Sequence, residues 1–538
     1  MELDALDKDI QRQNRLKRFV NILAFACVLL VSLPALIGWI SCPTGSLYFG
    51  IQSNFDDQMV YAAWMRQAMD GAFLFDNRFA IDQQPGLTLH VFFLLLGWLA
   101  KFVGIAGSMT LARVGLTWLF VQLLGRFVIS MKVEVFRAKY MLLLSCFGGG
   151  VGFLSWERFG QETVNAPAAV KAMFLGLCPI DVWQPEAFVF PSMLTNALFL
   201  AALCLIVIVL RCVVDCRHGW GPAIKGSIAF CLLMNIHSYD VLLLSLVAAT
   251  FVIALVFQKS MTGVWLARLA VIACGAIPPS LWFLHVLSVD PVFQARAATL
   301  TYSPTFRQVV LGLLPGLGLG LYAAFTSSDK WRRGAAGLAT VVILALVVAS
   351  TGQDPGRYFM TWAPWGLTTV VMVLAGIGLT KKTRNSDGPE IPEQEQHQTM
   401  WTLLWCWALV GLVAIYFPSL FQRKLAMGLV VPWAMLASYG LAHVLSKFDR
   451  STRNLVATLS LCLTSGSSLA WFMREIYYIR NNVSRTTVQS VYFSRDVDRI
   501  IDELNIIKGR KIVLAMPGVA SPVVEMVDEK PTVTDFKA

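Results

Sequence analysis

Charge is scarce in this chain. Only 14% of its 538 residues are Asp, Glu, Lys or Arg, against about a quarter in ordinary soluble domains. Several signatures are missing as well. No Walker A or GxGxxG motif is present, which disfavours ATP-driven work by this chain alone. No CxxC pair or Cys/His cluster occurs, so the eleven cysteines imply neither zinc nor a disulfide framework; Cys42 and Cys178 share the expected outer side, where they could pair, and are read as free thiols. No internal repeat and no nucleic-acid-reading module is visible.

What fills the space is apolar. Hydrophobic residues make up 56% of the chain, and mean hydropathy is +0.62. Cores of normal size cannot hide so much apolar surface, so the long uncharged stretches must face lipid. The fold class expected is an all-α polytopic membrane protein. Candidate segments fall near 18–41, 87–105, 110–130, 139–156, 187–211, 223–237, 241–258, 264–287, 309–325, 334–350, 361–380, 400–418, 425–446 and 453–473.

The excess of 44 Lys+Arg over 33 Asp+Glu, a net +11, reads as orientation. Lys8, Arg12, Arg15, Lys17 and Arg18 precede the first segment, which places the N-terminus in the cytoplasm. Lys330/Arg332/Arg333, Lys381/Lys382/Arg384 and Lys447/Arg450/Arg453 mark further inner loops. These constraints fit an odd number of crossings, about thirteen, with one segment between 87 and 156 interfacial or re-entrant. Outer loops are then 42–86, 157–186, 288–308, 351–360 and 419–424, while Lys132/Arg137/Lys139 lie inside. Residues 381–399 read as a linker. Residues 1–473 form the membrane domain, and 474–538 a small extracytoplasmic tail with an amphipathic helix followed by a short strand. Gly148–Gly150 and Gly152 suggest close helix packing.

The first outer loop contains SNFDDQMVYAAWMRQAMDG. Apolar positions Met59, Val60, Trp64, Met65, Ala68 and Met69 have helical spacing, and Gly71 is a natural stop. This predicts a short helix from Asp56 to Asp70 lying on the outer surface. Asp56 and Asp57 stand at its start. One explanation is ordinary: Asp56 caps the helix and Asp57 favours its first turn. The other is chemical: a carboxylate where the chain leaves the membrane acts as general base toward an acceptor hydroxyl. The two weigh evenly on the residues alone.

A first span, a long outer loop with an acidic pair, a surface helix and many further spans together resemble the GT-C superfamily. These integral membrane glycosyltransferases use polyprenyl-phosphate-linked sugars; protein O-mannosyltransferases and aminoarabinose lipid A transferases are familiar branches. The likeness covers most of the chain as architecture, but as motif mainly Asp56–Asp57 and a few later positions. One of these is a histidine–tyrosine–acid element of uncharacterised bacterial members. The resemblance implies a polyprenyl-phosphate sugar donor, an acceptor that is a glycan, lipid or protein, no metal or other cofactor, and a bacterial inner membrane location. It also makes Glu186, at the end of the second outer loop, a candidate partner of the acidic pair, although a solvated loop Glu is equally ordinary.

Three further groups stand out. His237 and Asp240 interrupt an apolar stretch. Ionisable residues at such depth usually line a cavity, while the alternative is a polar turn bonded to itself. Arg423 and Lys424 lie on the expected outer side, against the usual bias. A phosphate leaving group needs such charge, and snorkelling to lipid phosphates is the alternative. Arg357 is a weaker phosphate candidate. The rival to glycosyl transfer is a transporter or flippase for a lipid-linked sugar or other anion, for which His237–Asp240 and Pro278–Pro279 supply broken polar helices. A non-catalytic scaffold leaves Asp240 unexplained. Transfer requires the acids and Arg423 around one cavity; transport does not.

Overall fold

The computed structural model describes residues 2–51, 53–80, 82, 84–155, 178–353, 358–381, 392–482, 491–507, 511–515 and 531–535. Among these, nine helices are long and apolar enough to cross a membrane, or ten if the bent pair Arg450–Thr464 and Gly466–Asn481 is one span. Trp220–Ile236 is a shorter apolar helix. The nine or ten fall short of the thirteen expected, because some segments fold as shorter helices such as Val135–Phe147.

The 87–105 and 110–130 segments are continuous in sequence, Val91–Ser130, but Gly104 breaks the helix with φ 73° and ψ 166°. Such a conformation is open to glycine and strained for other residues. The two halves double back on each other: the Ser108 hydroxyl donates to the Leu96 carbonyl at 2.8 Å, whereas twelve residues of straight helix would separate them by about 18 Å. The first half packs on Phe55–Met69, where Gly97 lets the helix approach Met65 and Ala68.

Other boundaries also differ from hydropathy. The 187–211 segment splits into Val189–Thr195 and Ala197–Asp215 at Asn196, whose side chain caps the second helix through Leu198 N–H. Part of the expected 381–399 linker is helical, since Pro392–Ala414 begins within it. That helix is anchored by an Arg217–Glu395 ion pair and by Gln398 donating to the Thr380 carbonyl at 2.7 Å. The Gly466–Asn481 helix runs past residue 473. In the tail, Asp496–Ile506 is helical, and Lys511–Ala515 pairs in parallel with Pro531–Asp535.

Loops sort into two groups. Ser46–Tyr48 pairs antiparallel with Tyr492–Ser494, and Ser303 bridges Tyr358. All four segments belong to the expected outer side. Inner-side segments touch one another in the same way: Arg12 donates to the Val133 carbonyl and Arg332 to the Lys381 carbonyl.

Much of the buried mass lies where Phe306–Phe325 meets Val430–Leu445, with Trp405 and Trp433 fully buried beside it. A side chain at Gly440 would collide with the Leu319 backbone. Gly440→Val is expected to cost about 1–3 kcal/mol, as overpacked sites do, and to lower the thermal midpoint in detergent. Gly366→Ala, with open space around it, should leave that midpoint unchanged. Equal midpoints for both variants would contradict this packing.

Candidate functional site

Five stretches of the chain line one cavity of about 110 Å3, room for several waters. Ser53, Asn54 and Asp57 come from the first outer loop. Trp183, Gln184, Pro185 and Glu186 end the second. Thr195 and Phe199 flank Asn196, Arg423 and Lys424 follow the Pro392–Ala414 helix, and Trp471 and Arg474 lie on Gly466–Asn481.

Asp57 sits in the first turn of Phe55–Met69, close to the expected 56–70 helix. The helix differs from expectation in two ways. Its N-cap is Asn54, at φ 54° and without a side-chain cap bond, so Asp56 is not the cap. The Asn54 amide instead donates to Asp57 Oδ2 at 2.9 Å, fixing that carboxylate at the cavity edge. Nor is the helix free on a surface, because Met59, Ala62, Trp64, Met65 and Ala68 are buried. The Asp56 side chain lies outside the described part of the structure, as does Arg357.

Glu186 is buried, in a short turn opened by Pro185. Its carbonyl accepts from Gly428 N–H at 2.8 Å, and the Gln184 amide donates to the Arg423 carbonyl at 3.2 Å. These bonds fasten the 422–428 segment to the 184–186 turn, and Gly428, at φ +65°, permits the tight bend. Arg423 Nε therefore lies 3.8 Å from Glu186 Oε1, and its guanidinium 5.8 Å from the Trp183 ring centroid.

His237 and Asp240 stand one layer behind. Their side chains approach at 2.9 Å, with Asp240 fully buried. The His237 ring meets Phe199 edge-on at 6.0 Å, and Asp240 is within electrostatic reach of Glu186. The structure thus brings Asp57, Glu186, Arg423 and Lys424 to one cavity and sets His237 and Asp240 beside it. Four residues on from Asp57 in the same helix, Tyr61 is a neutral phenol, because burial and then the Asp57 charge push its pKa up.

Sequence reasoning passed over Trp183, Gln184, Trp471, Arg474, Glu475 and Asp181. Arg474 and Glu475 form a buried ion pair at 3.0 Å at the end of an apolar segment, a signal that charge at a span boundary offered. Asp181 had no such signal. It is buried, and its Oδ2 accepts from Gly150 N–H at 2.8 Å, Gly152 N–H at 3.0 Å and the Ser467 hydroxyl at 2.5 Å. Its carbonyl accepts from the Trp471 indole at 2.7 Å. The glycines at 148–152 are close-packed as expected, but they follow the end of the Val135–Phe147 helix and approach Gly312 and Asp181.

Burial pushes the Asp181 pKa up to about 7, against the lowering effect of Ser467, Gly152 and Gly150. Between about pH 4 and 7 the folded chain then holds a proton that the unfolded chain has released, so this group lowers stability as pH rises through that window. The wild-type melting midpoint should fall from pH 4.5 to 7.5 by more than that of Asp181→Asn, which lacks the titrating group. Parallel pH profiles would contradict this.

No protein-family model matches the chain, and no curated protein matches it significantly. Among solved structures, it is similar to the archaeal oligosaccharyltransferase AglB from Archaeoglobus fulgidus in complex with an inhibitory peptide and a dolichol-phosphate. That likeness has a TM-score of 0.37 and 12% identity, over 96% of this chain and 65% of that one. The oligosaccharyltransferase of the same organism tethered to an acceptor peptide gives 0.36 and 12%, over 96% and 64%. The chain thus spans slightly under two thirds of these neighbours' length, and a likeness this loose assigns no residue a role.

Proposed function

We propose that this protein is a membrane glycosyltransferase that moves a sugar from a polyprenyl-phosphate-linked donor to an acceptor hydroxyl on the extracytoplasmic face. The observation that carries this reading is the meeting of Asp57, Glu186, Arg423 and Lys424 at one cavity, which glycosyl transfer needs and the transport alternative does not.

The acceptor oxygen attacks the anomeric carbon as the bond from that carbon to the phosphate oxygen breaks. Asp57 takes the hydroxyl proton. The electron pair leaves on the lipid phosphate, where Arg423 and Lys424 offset the developing charge. Glu186 holds Arg423 in place through their ion pair, and His237 and Asp240 back the wall. Attack from the face opposite the leaving group inverts the anomeric centre.

The chain crosses a bacterial inner membrane an odd number of times with its N-terminus in the cytoplasm; the 91–103 half-helix is the segment that does not cross. The loops that meet at the cavity are all on the side that the basic-residue pattern marks as outer. The acceptor is a glycan, lipid or protein of the outer face.

The test is transfer by the full chain in membranes supplied with polyprenyl-phosphate sugars, followed by mass spectrometry of carrier and acceptors. Asp57→Asn is expected to lower turnover by about 10²-fold or more, the scale of general-base catalysis. Arg423→Gln is expected to cost about 10²–10³-fold, as removal of a transition-state charge partner does. Full turnover in Asp57→Asn would remove it as the base.

A further inference from the structure

Asn54 opens the Phe55–Met69 helix at the expense of the helix itself. Its backbone lies in the left-handed region, at φ 54° and ψ 44°. A side chain makes that region unfavourable, although asparagine tolerates it better than most residues. The Asn54 carbonyl accepts the first helical bond, from Gln58 N–H at 3.2 Å. An asparagine in this position normally turns its side-chain oxygen to a free N–H of the first turn. Asn54 makes no such bond. Instead its amide donates to Asp57 Oδ2 at 2.9 Å. A carboxylate anion only accepts, so the edge that faces it is the NH2 group.

The turn thus forgoes a cap bond, takes up a strained backbone, and in return fixes one carboxylate oxygen. Strain of this kind collects at functional sites. The neighbouring residue completes the arrangement. Gln58 is buried, and its side-chain amide donates to the Thr195 carbonyl at 3.1 Å. Thr195 lines the same cavity as Asn54 and Asp57, so the first turn is pinned to that wall. Gln58 sets where the backbone stands, and Asn54 sets where the carboxylate points. Among the described residues no donor reaches Asp57 Oδ1.

We infer that Asn54 is a positioning residue for transfer: it holds Asp57 by Oδ2 and leaves Oδ1 as the atom that takes the acceptor proton. This rests on the transfer reading above. The proton passes from the acceptor oxygen to Oδ1 as that oxygen bonds to the anomeric carbon and the phosphate oxygen departs with the electron pair of its bond. A carboxylate held in one rotamer meets the acceptor in the productive geometry, whereas one that swings among rotamers does so only part of the time.

A cap and a positioning residue respond differently to substitution. Aspartate equals asparagine as a cap and tolerates the left-handed region, but it sets a second negative charge against Oδ2. Glycine is at ease in that region and removes the amide. The experiment is transfer by the full chain in membranes supplied with polyprenyl-phosphate sugars, with thermal midpoints of the purified variants in detergent. Asn54→Gly is expected to lower kcat about tenfold, with the acceptor KM and the midpoint unchanged. Asn54→Asp is expected to lose more turnover than Asn54→Gly, an order that a cap alone does not produce. In an Asp57→Asn background, Asn54→Gly should add no further loss, because its effect runs through the carboxylate. Should Asn54→Asp fail to fold, Asn54→Gly and the double variant carry the test.

Wild-type turnover in Asn54→Gly or Asn54→Asp would overturn the positioning role. So would a tenfold loss that persists in the Asp57→Asn background, since Asn54 would then act elsewhere. Both results leave glycosyl transfer standing while Asp57→Asn itself is impaired. Full turnover in Asp57→Asn removes the base, and a wild-type chain that transfers no lipid-linked sugar removes the transfer reading; Asn54 loses its role in either case.

Discussion

The carboxylate of Asp181 gathers donors from the glycine turn after Val135–Phe147 and from the start of Gly466–Asn481. Its carbonyl takes the Trp471 indole. The loop held in this way is the one that presents Trp183, Gln184 and Glu186 to the cavity, and the helix held with it presents Trp471 and Arg474. Gln184 and Glu186 then fasten the 422–428 segment by its backbone. One buried acid therefore sets two walls of the site and, through them, a third. Such a group is costly to bury unless its bonds are made, so the turn, the loop and the helix must assemble together.

A second constraint is charge in a poor solvent. The chain has few ionisable groups, and a membrane makes each buried one expensive. Those at the cavity are paired: Glu186 with Arg423, Arg474 with Glu475, and His237 with Asp240 behind them. Pairing keeps the site assembled without substrate.

The apolar periodicity made most helices legible, and Trp362–Thr380 falls within one residue of its sequence bounds. Hydropathy could not see the left-handed turn at Gly104, because a doubled-back helix is as apolar as a straight one. The candidate acids and bases were legible where they broke a rule: two acids leaving the first span, and Arg423 and Lys424 on the side where basic residues are few. Asp181 broke no rule in the sequence. An acid in an outer loop is ordinary there, and only tertiary packing reveals that it is buried. Glu475 and Arg474 escaped notice because the apolar window closes at residue 473, whereas the helix continues to Asn481. Arg113 was visible as a lone cation inside an apolar segment, but the Leu194 carbonyl that it reaches lies 81 residues away.

The central claim is that the lipid phosphate of the donor occupies this cavity. An electron cryomicroscopy map of the full chain in a lipid nanodisc with polyprenyl phosphate would test it most directly. The account predicts phosphate density between Arg423, Lys424 and Arg474, with the prenyl tail leaving sideways into lipid. Ordered phosphate density elsewhere, with only solvent between these three residues, would contradict it.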